Sequence, residues 1–303
     1  MAAQTVRKAV IPAGEFANGI LPAAKAVPHE MLPLVDRPLI QYAVDEALAA
    51  GIEEIVIVSG RGKGAIEDHF DCAAELEDAL RRGGRREALD AVAATRARAG
   101  AIAFIRQQEP LGMVHALWCA RHVLGSEPFA VLVPDQVIRA EVPCLARMMA
   151  LHGRLGGNLV AVTPAARGRP SRYGVVTAIR RDERTLVASP AMSGAETWAA
   201  TGRFILDQTM IARLDGILAD GDRPLIDVLT DAAADCPLHG YVVEGRHFDC
   251  GAMLGLLEAN IALALERADL APSMRGLLAR YGQEATRAGR PRAAEAPGLR
   301  IPA

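Results

Sequence analysis

Four short apolar runs constrain the architecture of this chain more than any other feature. They are Lys8–Ile11, Ile55–Val58, Ala101–Ile105 and Phe129–Val133. Segments with helical spacing separate them, as in residues 38–50 and 114–123. Short apolar runs that alternate with helices are typical of parallel strands buried on both faces. The alternation predicts an α/β fold with a doubly wound, mostly parallel sheet and helices on both faces.

The second half of the chain continues the same alternation. Further strands are predicted at residues 158–163, 173–179 and 240–243, and helices at 210–218, 225–234 and 253–267; Phe204 is predicted to begin another element. The charged residues 75–98 are predicted to form an exposed helical excursion with a turn at residues 81–86. From about Gly282 the composition shifts toward Arg, Ala, Gly and Pro. We therefore expect one folded domain over residues 1–275 and a loosely ordered tail over 276–303.

Charge and cysteine content narrow the functional class. The formal net charge is −2, which gives no basic surplus for nucleic acid or an anionic membrane, although local cations would still suit a nucleotide. The five cysteines are scattered without a paired motif, so we expect them to be reduced. No apolar run reaches the roughly 18 residues that a membrane span needs, and the first residues lack a signal-like apolar core. We expect a cytoplasmic protein.

One long segment resembles a known family. Residues 21–42 read Leu-Pro-Ala-Ala-Lys-Ala-Val-Pro-His-Glu-Met-Leu-Pro-Leu-Val-Asp-Arg-Pro-Leu-Ile-Gln-Tyr and follow the first predicted strand. This run is similar to the N-terminal part of bacterial UTP–glucose-1-phosphate uridylyltransferases, and the resemblance extends over residues 7–275. It implies a nucleotide-diphospho-sugar transferase (Rossmann-like) fold. It also implies UTP, glucose 1-phosphate or a UDP-sugar as ligand, Mg²⁺ as cofactor, and a homo-oligomer, either dimer or tetramer.

Several residues match the family's ligand contacts. Asp135 in Val-Pro-Asp and Asp249 in Phe-Asp-Cys-Gly match the two aspartates that chelate Mg²⁺. By the same resemblance, Gln107 reads the uracil edge, Gly112 lies under the base, and Gly174 contacts the sugar. Both aspartates follow predicted strands, where ligands of such sheets bind. A strand-end Asp is also a common helix cap, so the structural reading stays open.

The first loop departs from the family pattern. The two glycines and the arginine of the family's G-x-G-T-R stretch fall at Glu15, Ala17 and Gly19. Glu15 puts a carboxylate where phosphate oxygens are expected. Gly14 and Gly19 remain, either to cup an anion in a shifted loop or only to turn the chain.

The cations of the family pattern are also incomplete. His29 stands where the family has the lysine of P-K-E-M, and Ala188 and Ser189 replace the Glu and Lys of V-E-K-P. A histidine is mostly neutral at pH 7 because its ordinary pKa is about 6.5. Lys25 matches the family and is the remaining candidate phosphate contact, or else a surface lysine.

The sequence thus combines a retained framework with missing cations. Charge-assisted hydrogen bonds contribute about 1.5–3 kcal/mol each, so three losses would slow transfer by several orders of magnitude. The leading hypothesis is a uridylyltransferase paralogue with lost or impaired catalysis. It would act as a regulatory or scaffold protein, alone or as a hetero-oligomer with an active homologue. The alternatives are an active Mg²⁺-dependent enzyme that makes UDP-glucose, and a UTP- or UDP-sugar-binding module without turnover.

Overall fold

A computed structural model describes residues 5–15, 18–165, 171–188, 194–217 and 223–287 of the chain. The strands are β1 (Lys8–Ala13), β2 (Pro33–Leu34), β3 (Arg37–Pro38), β4 (Glu54–Ser59), β5 (Ile102–Arg106), β6 (Phe129–Leu132), β7 (Gln136–Arg139), β8 (Asn158–Pro164), β9 (Val175–Arg180), β10 (Thr185–Ala188), β11 (Glu196–Leu206), β12 (Leu238–Val242) and β13 (Arg246–Asp249). The helices are α1 (Leu39–Ala49), α2 (Gly64–Phe70), α3 (Ala74–Arg82), α4 (Arg86–Ala93), α5 (Gly112–Cys119), α6 (Arg121–Leu124), α7 (Cys144–Leu155), α8 (Thr209–Ile217), α9 (Leu225–Asp231), α10 (Met253–Glu266) and α11 (Ala271–Arg287).

The main sheet has nine strands in the order β5-β4-β1-β6-β11-β8-β12-β10-β9. Strands β5, β4, β1 and β6 are parallel neighbours, and β8 pairs in parallel with β12. Strand β11 runs antiparallel to β6, β8 and β9, so the second half of the sheet is mixed. The predicted α/β class is confirmed. The prediction that Phe204 begins an element is wrong, because Phe204 lies near the end of the long strand β11.

Alternate residues of the central strands face two different cores. Val10 of β1 packs in one cluster with Leu117 of α5, whereas its neighbour Ile11 packs in a second cluster with Ile40 of α1. Side chains of a strand point alternately to its two faces. The run of fully buried residues in β1 is therefore explained by helices on both sides of the sheet, as the apolar pattern predicts.

A smaller layer lies beside the main sheet. Strands β7 and β13 form an antiparallel ribbon, and Val137 and Phe248 from this ribbon pack with Leu34, Leu39 and Ala259. The sequence pattern predicts neither strand, because each is four residues long and rich in polar side chains. This ribbon matters because it brings two distant segments of the chain side by side at the site described below.

The C-terminal boundary differs from the prediction. Helix α11 extends from Ala271 to Arg287, so the proposed division at residue 275 falls inside a helix and residues 276–287 are helical. Residues 288–303 of the predicted tail lie outside the described residues. The predicted excursion at 75–98 contains α3 and α4 with a turn between them. Among the described helices, none is long and apolar enough to cross a membrane.

Candidate active site

Asp135 and Asp249 are brought together by the β7–β13 ribbon. Asp135 follows β6, and the next residue, Gln136, is the first of β7 and pairs in register with Asp249 at the end of β13. The backbone N–H of Cys250 donates to the carbonyl of Asp135 at 2.8 Å, which fixes the two turns to each other. Two segments more than a hundred residues apart in sequence thus present their carboxylates at one edge of the molecule.

The two carboxylates share their hydrogen-bond donors. Gln136 Nε2 donates to Asp135 Oδ1 at 3.0 Å and to Asp249 Oδ1 at 2.7 Å. The Arg172 guanidinium bonds the other oxygen of Asp135 and reaches Asp249 Oδ1 at 3.3 Å. Tyr173 donates its hydroxyl to Asp135 Oδ1 at 2.8 Å. Burial, followed by the Asp135 charge, raises the pKa of Tyr173 well above its usual value, so this hydroxyl keeps its proton.

This donor set fits a magnesium ion. Both aspartates converge on one position that the Arg172 cation now approaches, and Mg²⁺ commonly takes one or two carboxylates and completes its shell with substrate phosphates and water. Gly251 lies against Asp135 and Arg172, because a Cβ at residue 251 would overlap both side chains. In the described part of the chain no cluster of three or more metal-ligating side chains exists.

Gln107 lies at the carboxyl end of β5, on the same side of the sheet as Asp135, with β4 and β1 between β5 and β6. Its amide is 2% exposed, and Nε2 donates to the carbonyl of Gly112 at 3.1 Å and lies 3.0 Å from His115 Nδ1. Its Oε1 has no hydrogen-bond partner among the described residues. Gly14 faces this oxygen so closely that a Cβ at residue 14 would overlap it. Gln107, Gly14 and Gly112 are therefore neighbours, and their contact with a nucleotide stays a prediction.

His29, Glu30 and Lys63 form a buried polar group beside Asp135. Lys63 Nζ lies 2.7 Å from both oxygens of the fully buried Glu30 carboxylate and donates to the carbonyl of Glu15 at 3.0 Å. Burial raises the pKa of Glu30, while the Lys63 charge opposes that shift. His29 lies 3.9 Å from Asp135 Oδ2, and burial, with help from Lys63 and Arg172, lowers its pKa to about 4. His29 is therefore neutral at pH 7.

Comparisons with known proteins assign this arrangement to a family. A family model described as "Nucleotidyl transferase" matches residues 8–266. The UTP–glucose-1-phosphate uridylyltransferase of Komagataeibacter xylinus is 39% identical over 257 residues, which are 82% of this chain and 90% of that relative. The corresponding enzyme of Bacillus subtilis (strain 168) is 38% identical over 285 residues, 90% of this chain and 97% of the relative. The chain belongs to the UTP–glucose-1-phosphate uridylyltransferase family.

Solved structures of this uridylyltransferase family share the fold. A UTP-bound UGPase from Acinetobacter baumannii superposes with a TM-score of 0.82 at 29% identity, covering 90% of this chain and 98% of that one. A UDP-glucose pyrophosphorylase complexed with UDP-glucose superposes with a TM-score of 0.73 at 30% identity, covering 86% of this chain and 100% of that one. The predicted nucleotidyltransferase fold is confirmed.

Position 19, where the uridylyltransferase pattern has an arginine, is packed against the aspartate turn. Gly19 lies in a short 3-10 turn, Asn18–Ile20, and a Cβ at residue 19 would overlap the carbonyl oxygen of Gly251. The glycine is thus required by backbone contact in this conformation. In this chain residue 19 is a point of close backbone packing, and the effect of its departure from the family pattern on phosphate binding stays a prediction.

Other predicted residues of the uridylyltransferase site are placed less centrally. Lys25 is exposed and lines a cavity on the far side of His29. Gly174, with φ +87°, packs on Ile226, donates to Ser171 O at 3.2 Å and accepts from Ala200 N at 3.1 Å. Both its backbone groups are thus bonded within the chain, and its sugar contact stays a prediction. Ala188 ends β10, while Ser189 and Pro190 lie outside the described residues.

Sequence reasoning gave no functional role to Arg172, Tyr173 or the Lys63–Glu30 pair. Arg172 contacts both predicted metal ligands, and Tyr173 contacts Asp135. Their position in the sequence indicates a role, because Arg172 and Tyr173 directly precede Gly174, which the resemblance assigns to the site. Lys63 gave no signal, since a lysine before a helix is usually solvated.

Proposed function

We propose that this protein is an active, Mg²⁺-dependent uridylyltransferase that makes UDP-glucose and pyrophosphate from UTP and glucose 1-phosphate. One observation carries the proposal. Asp135 and Asp249, distant in sequence, converge on a single cation position at the strand ends. The relatives that bear this activity by name match nearly the whole folded chain, which supports the same chemistry here.

The described residues suit in-line transfer. A phosphate oxygen of glucose 1-phosphate would attack the α-phosphorus of UTP, and the bond from that phosphorus to the bridging oxygen would break, releasing pyrophosphate with the electron pair. Mg²⁺ held by Asp135 and Asp249 would supply charge neutralisation at the phosphates. Gln107 would bind the uracil imide, because its unpaired Oε1 is an acceptor for an N–H of the base. Arg172, once released from the aspartates, would be available to phosphate oxygens.

The nearest competing function is a paralogue with impaired catalysis that binds a uridine nucleotide or UDP-sugar and regulates a partner. The low pKa of His29 favours it, because a neutral side chain replaces a family cation. The Arg172 cation is also already paired with the aspartates. These features weaken phosphate binding, whereas the retained aspartate pair and Gln107 support catalysis. We give more weight to the retained groups because they occupy the positions that carry the chemistry.

Pyrophosphate release with UTP, glucose 1-phosphate and Mg²⁺ separates the two functions. The active enzyme is expected to turn over, and Asp249→Asn is expected to remove more than 99% of that rate while leaving thermal stability unchanged. A silent wild-type protein that still binds UDP-glucose in calorimetry would support the binding paralogue. A variant with Lys at residue 29 and Glu-Lys at residues 188–189 would then be expected to gain activity.

Self-association remains part of the proposal. We propose a homo-oligomer, as the resemblance predicts, and apolar side chains on α10 and α11 are available for it: Leu254 is 62% exposed, Leu257 53% and Tyr281 59%. Light scattering of the purified chain measures the mass directly. A monomer at micromolar concentration would contradict this part without affecting the proposed activity.

A further inference from the structure

The side-chain amide of Gln136 lies between the two predicted metal ligands. Its Nε2 donates to Asp135 Oδ1 at 3.0 Å and to Asp249 Oδ1 at 2.7 Å. The side chain is 2% exposed, and Gly202 packs so closely on it that a Cβ at residue 202 would overlap it. His247 Nε2 lies 2.8 Å from Gln136 Oε1 and donates to it, because an amide oxygen can only accept. The amide is therefore held in one orientation, with its N–H groups toward the carboxylates.

One oxygen of each carboxylate is already occupied by donors from the protein. Asp135 Oδ1 accepts from Gln136 and from the Tyr173 hydroxyl at 2.8 Å. Asp249 Oδ1 accepts from Gln136 and from the backbone N–H of Gly251 at 3.1 Å. A carboxylate oxygen offers about two lone-pair positions, so the hydrogen bonds of the protein use those of both Oδ1 atoms.

The two Oδ2 atoms are left for a cation. Asp249 Oδ2 accepts no hydrogen bond from the described residues, since every donor to this carboxylate is bonded to Oδ1. Asp135 Oδ2 is bonded by the Arg172 guanidinium, a cation that a bound metal ion would displace. Each aspartate can therefore offer a metal ion one oxygen without losing a hydrogen bond to Gln136.

This arrangement distinguishes between two common divalent cations. Ca²⁺ takes about six to eight oxygen ligands and often binds a carboxylate through both oxygens, whereas Mg²⁺ requires a regular octahedron and keeps several waters. We propose that Gln136, held in place by His247, is a specificity-determining residue that makes each aspartate a one-oxygen ligand and so favours Mg²⁺ over Ca²⁺. The inference rests on the proposed function for the phosphate oxygens that complete the shell of the ion.

The test is electron paramagnetic resonance of Mn²⁺ bound to the full chain, alone and with UDP-glucose, and displaced by Mg²⁺ or by Ca²⁺. Gln136→Met keeps the length of the side chain without its donors and is expected to raise the affinity for Ca²⁺ relative to Mg²⁺ about tenfold. His247→Leu is expected to change this ratio in the same direction, because the Gln136 amide is then free to rotate. His247→Gln restores an N–H donor and is expected to recover the wild-type ratio.

A second His–Gln–Asp arrangement in the chain provides the matched control. Gln41 Nε2 donates to Asp45 Oδ1 at 2.7 Å, and His69 Nε2 lies 2.8 Å from Gln41 Oε1. Gln41 is buried like Gln136, but its amide bonds neither predicted metal ligand. Gln41→Met is therefore expected to leave the ratio of Ca²⁺ to Mg²⁺ affinity unchanged. Thermal unfolding shows whether each variant is folded.

Specific results would overturn the inference. One is the same affinity ratio in wild type, folded Gln136→Met and folded His247→Leu. Another is an equal change of the ratio in Gln41→Met, and a third is a wild-type chain that binds no Mn²⁺ with or without UDP-glucose. A chain without turnover whose affinity ratio still shifts in Gln136→Met would remove the proposed function and leave the role of Gln136 in place.

Discussion

Gly19 lies so close to the carbonyl oxygen of Gly251 that a Cβ at residue 19 would overlap it. The first loop and the turn after Asp249 are therefore close neighbours through their backbones. Gly251 follows Asp249 closely, and its N–H donates to Asp249 Oδ1 at 3.1 Å. The first loop and one predicted metal ligand are therefore coupled through two residues without side chains. Any side chain at residue 19 therefore has to displace either the first loop or the turn that follows Asp249.

Gly19→Ala is expected to lower both thermal stability and Mg²⁺-dependent UTP binding, because the added methyl group overlaps backbone that cannot rotate away. Steric insertions of this kind cost about 1–3 kcal/mol. Thermal unfolding and calorimetry measure the two effects. Gly153→Ala is the matched control, since that glycine lies in α7 with open space around it, and its substitution is expected to stabilise the fold slightly. Normal UTP binding by Gly19→Ala would show that the loop moves freely.

Lys63→Met is expected to lower the free energy of unfolding by about 3–5 kcal/mol, because it leaves the buried Glu30 carboxylate without its partner. Adding Glu30→Gln is expected to recover part of this loss, since the uncompensated charge disappears. Chemical denaturation of the wild type, Lys63→Met and the double variant measures their free energies of unfolding. Arg81→Met, which removes an exposed pair with Asp78, is expected to change stability by less than about 1 kcal/mol. Equal losses in the free energy of unfolding for Lys63→Met and Arg81→Met would contradict a buried ion pair between Lys63 and Glu30.

His29→Gln is expected to leave turnover at pH 7.5 within about threefold of wild type, since a neutral side chain replaces a histidine whose pKa is lowered to about 4. His29→Lys, which adds a cation where the imidazole now lies 3.9 Å from Asp135 Oδ2, is expected to raise it. Steady-state rates with UTP measure the turnover of both variants. A loss of more than a hundredfold in His29→Gln would mean that the imidazole itself contacts substrate.

Gln107→Ala is expected to weaken UMP binding about ten- to a hundredfold, because the buried Oε1 of Gln107, which has no partner among the described residues, would otherwise accept from the base. Gln108→Ala is the matched control, since its exposed neighbouring side chain points to no described partner and is expected to have no effect. Calorimetry with UMP isolates base recognition from the phosphates. Equal affinities of both variants would remove Gln107 from the base site.

Acid sensitivity is expected to come partly from His239. Burial lowers the pKa of this imidazole, and its Nδ1 has no partner among the described residues. Below the unfolded pKa of about 6.5, the unfolded chain binds a proton that the folded chain refuses, so stability falls as the pH drops. Unfolding of wild type and His239→Gln from pH 7.5 to 5 measures this, and the variant is expected to lose less stability. His122 is exposed, so His122→Gln provides the comparison. If the free energy of unfolding falls with pH at the same slope in wild type and both variants, the assignment to His239 is wrong.

The sequence by itself determined the parallel half of the sheet, from β5 to β6. Buried runs such as Ile55–Val58 lie on both faces against helices, and their apolar pattern reports that burial directly. It also determined that Asp135 follows a strand and that Gly112 is close to Gln107, because these are short-range relationships. The family resemblance placed Asp249 beside Asp135, and the structure gives the reason in the β7–β13 ribbon.

Only the tertiary structure decided which charges remain available at the site. Whether His29 is charged depends on burial beside Lys63 and Arg172, and whether Lys63 is available depends on Glu30. Gly19 reads in sequence as a missing arginine, but in the fold it is a point of close backbone contact with Gly251. Desolvation, ion pairing and steric overlap all depend on neighbours that are far apart in the chain, so no local pattern reports them.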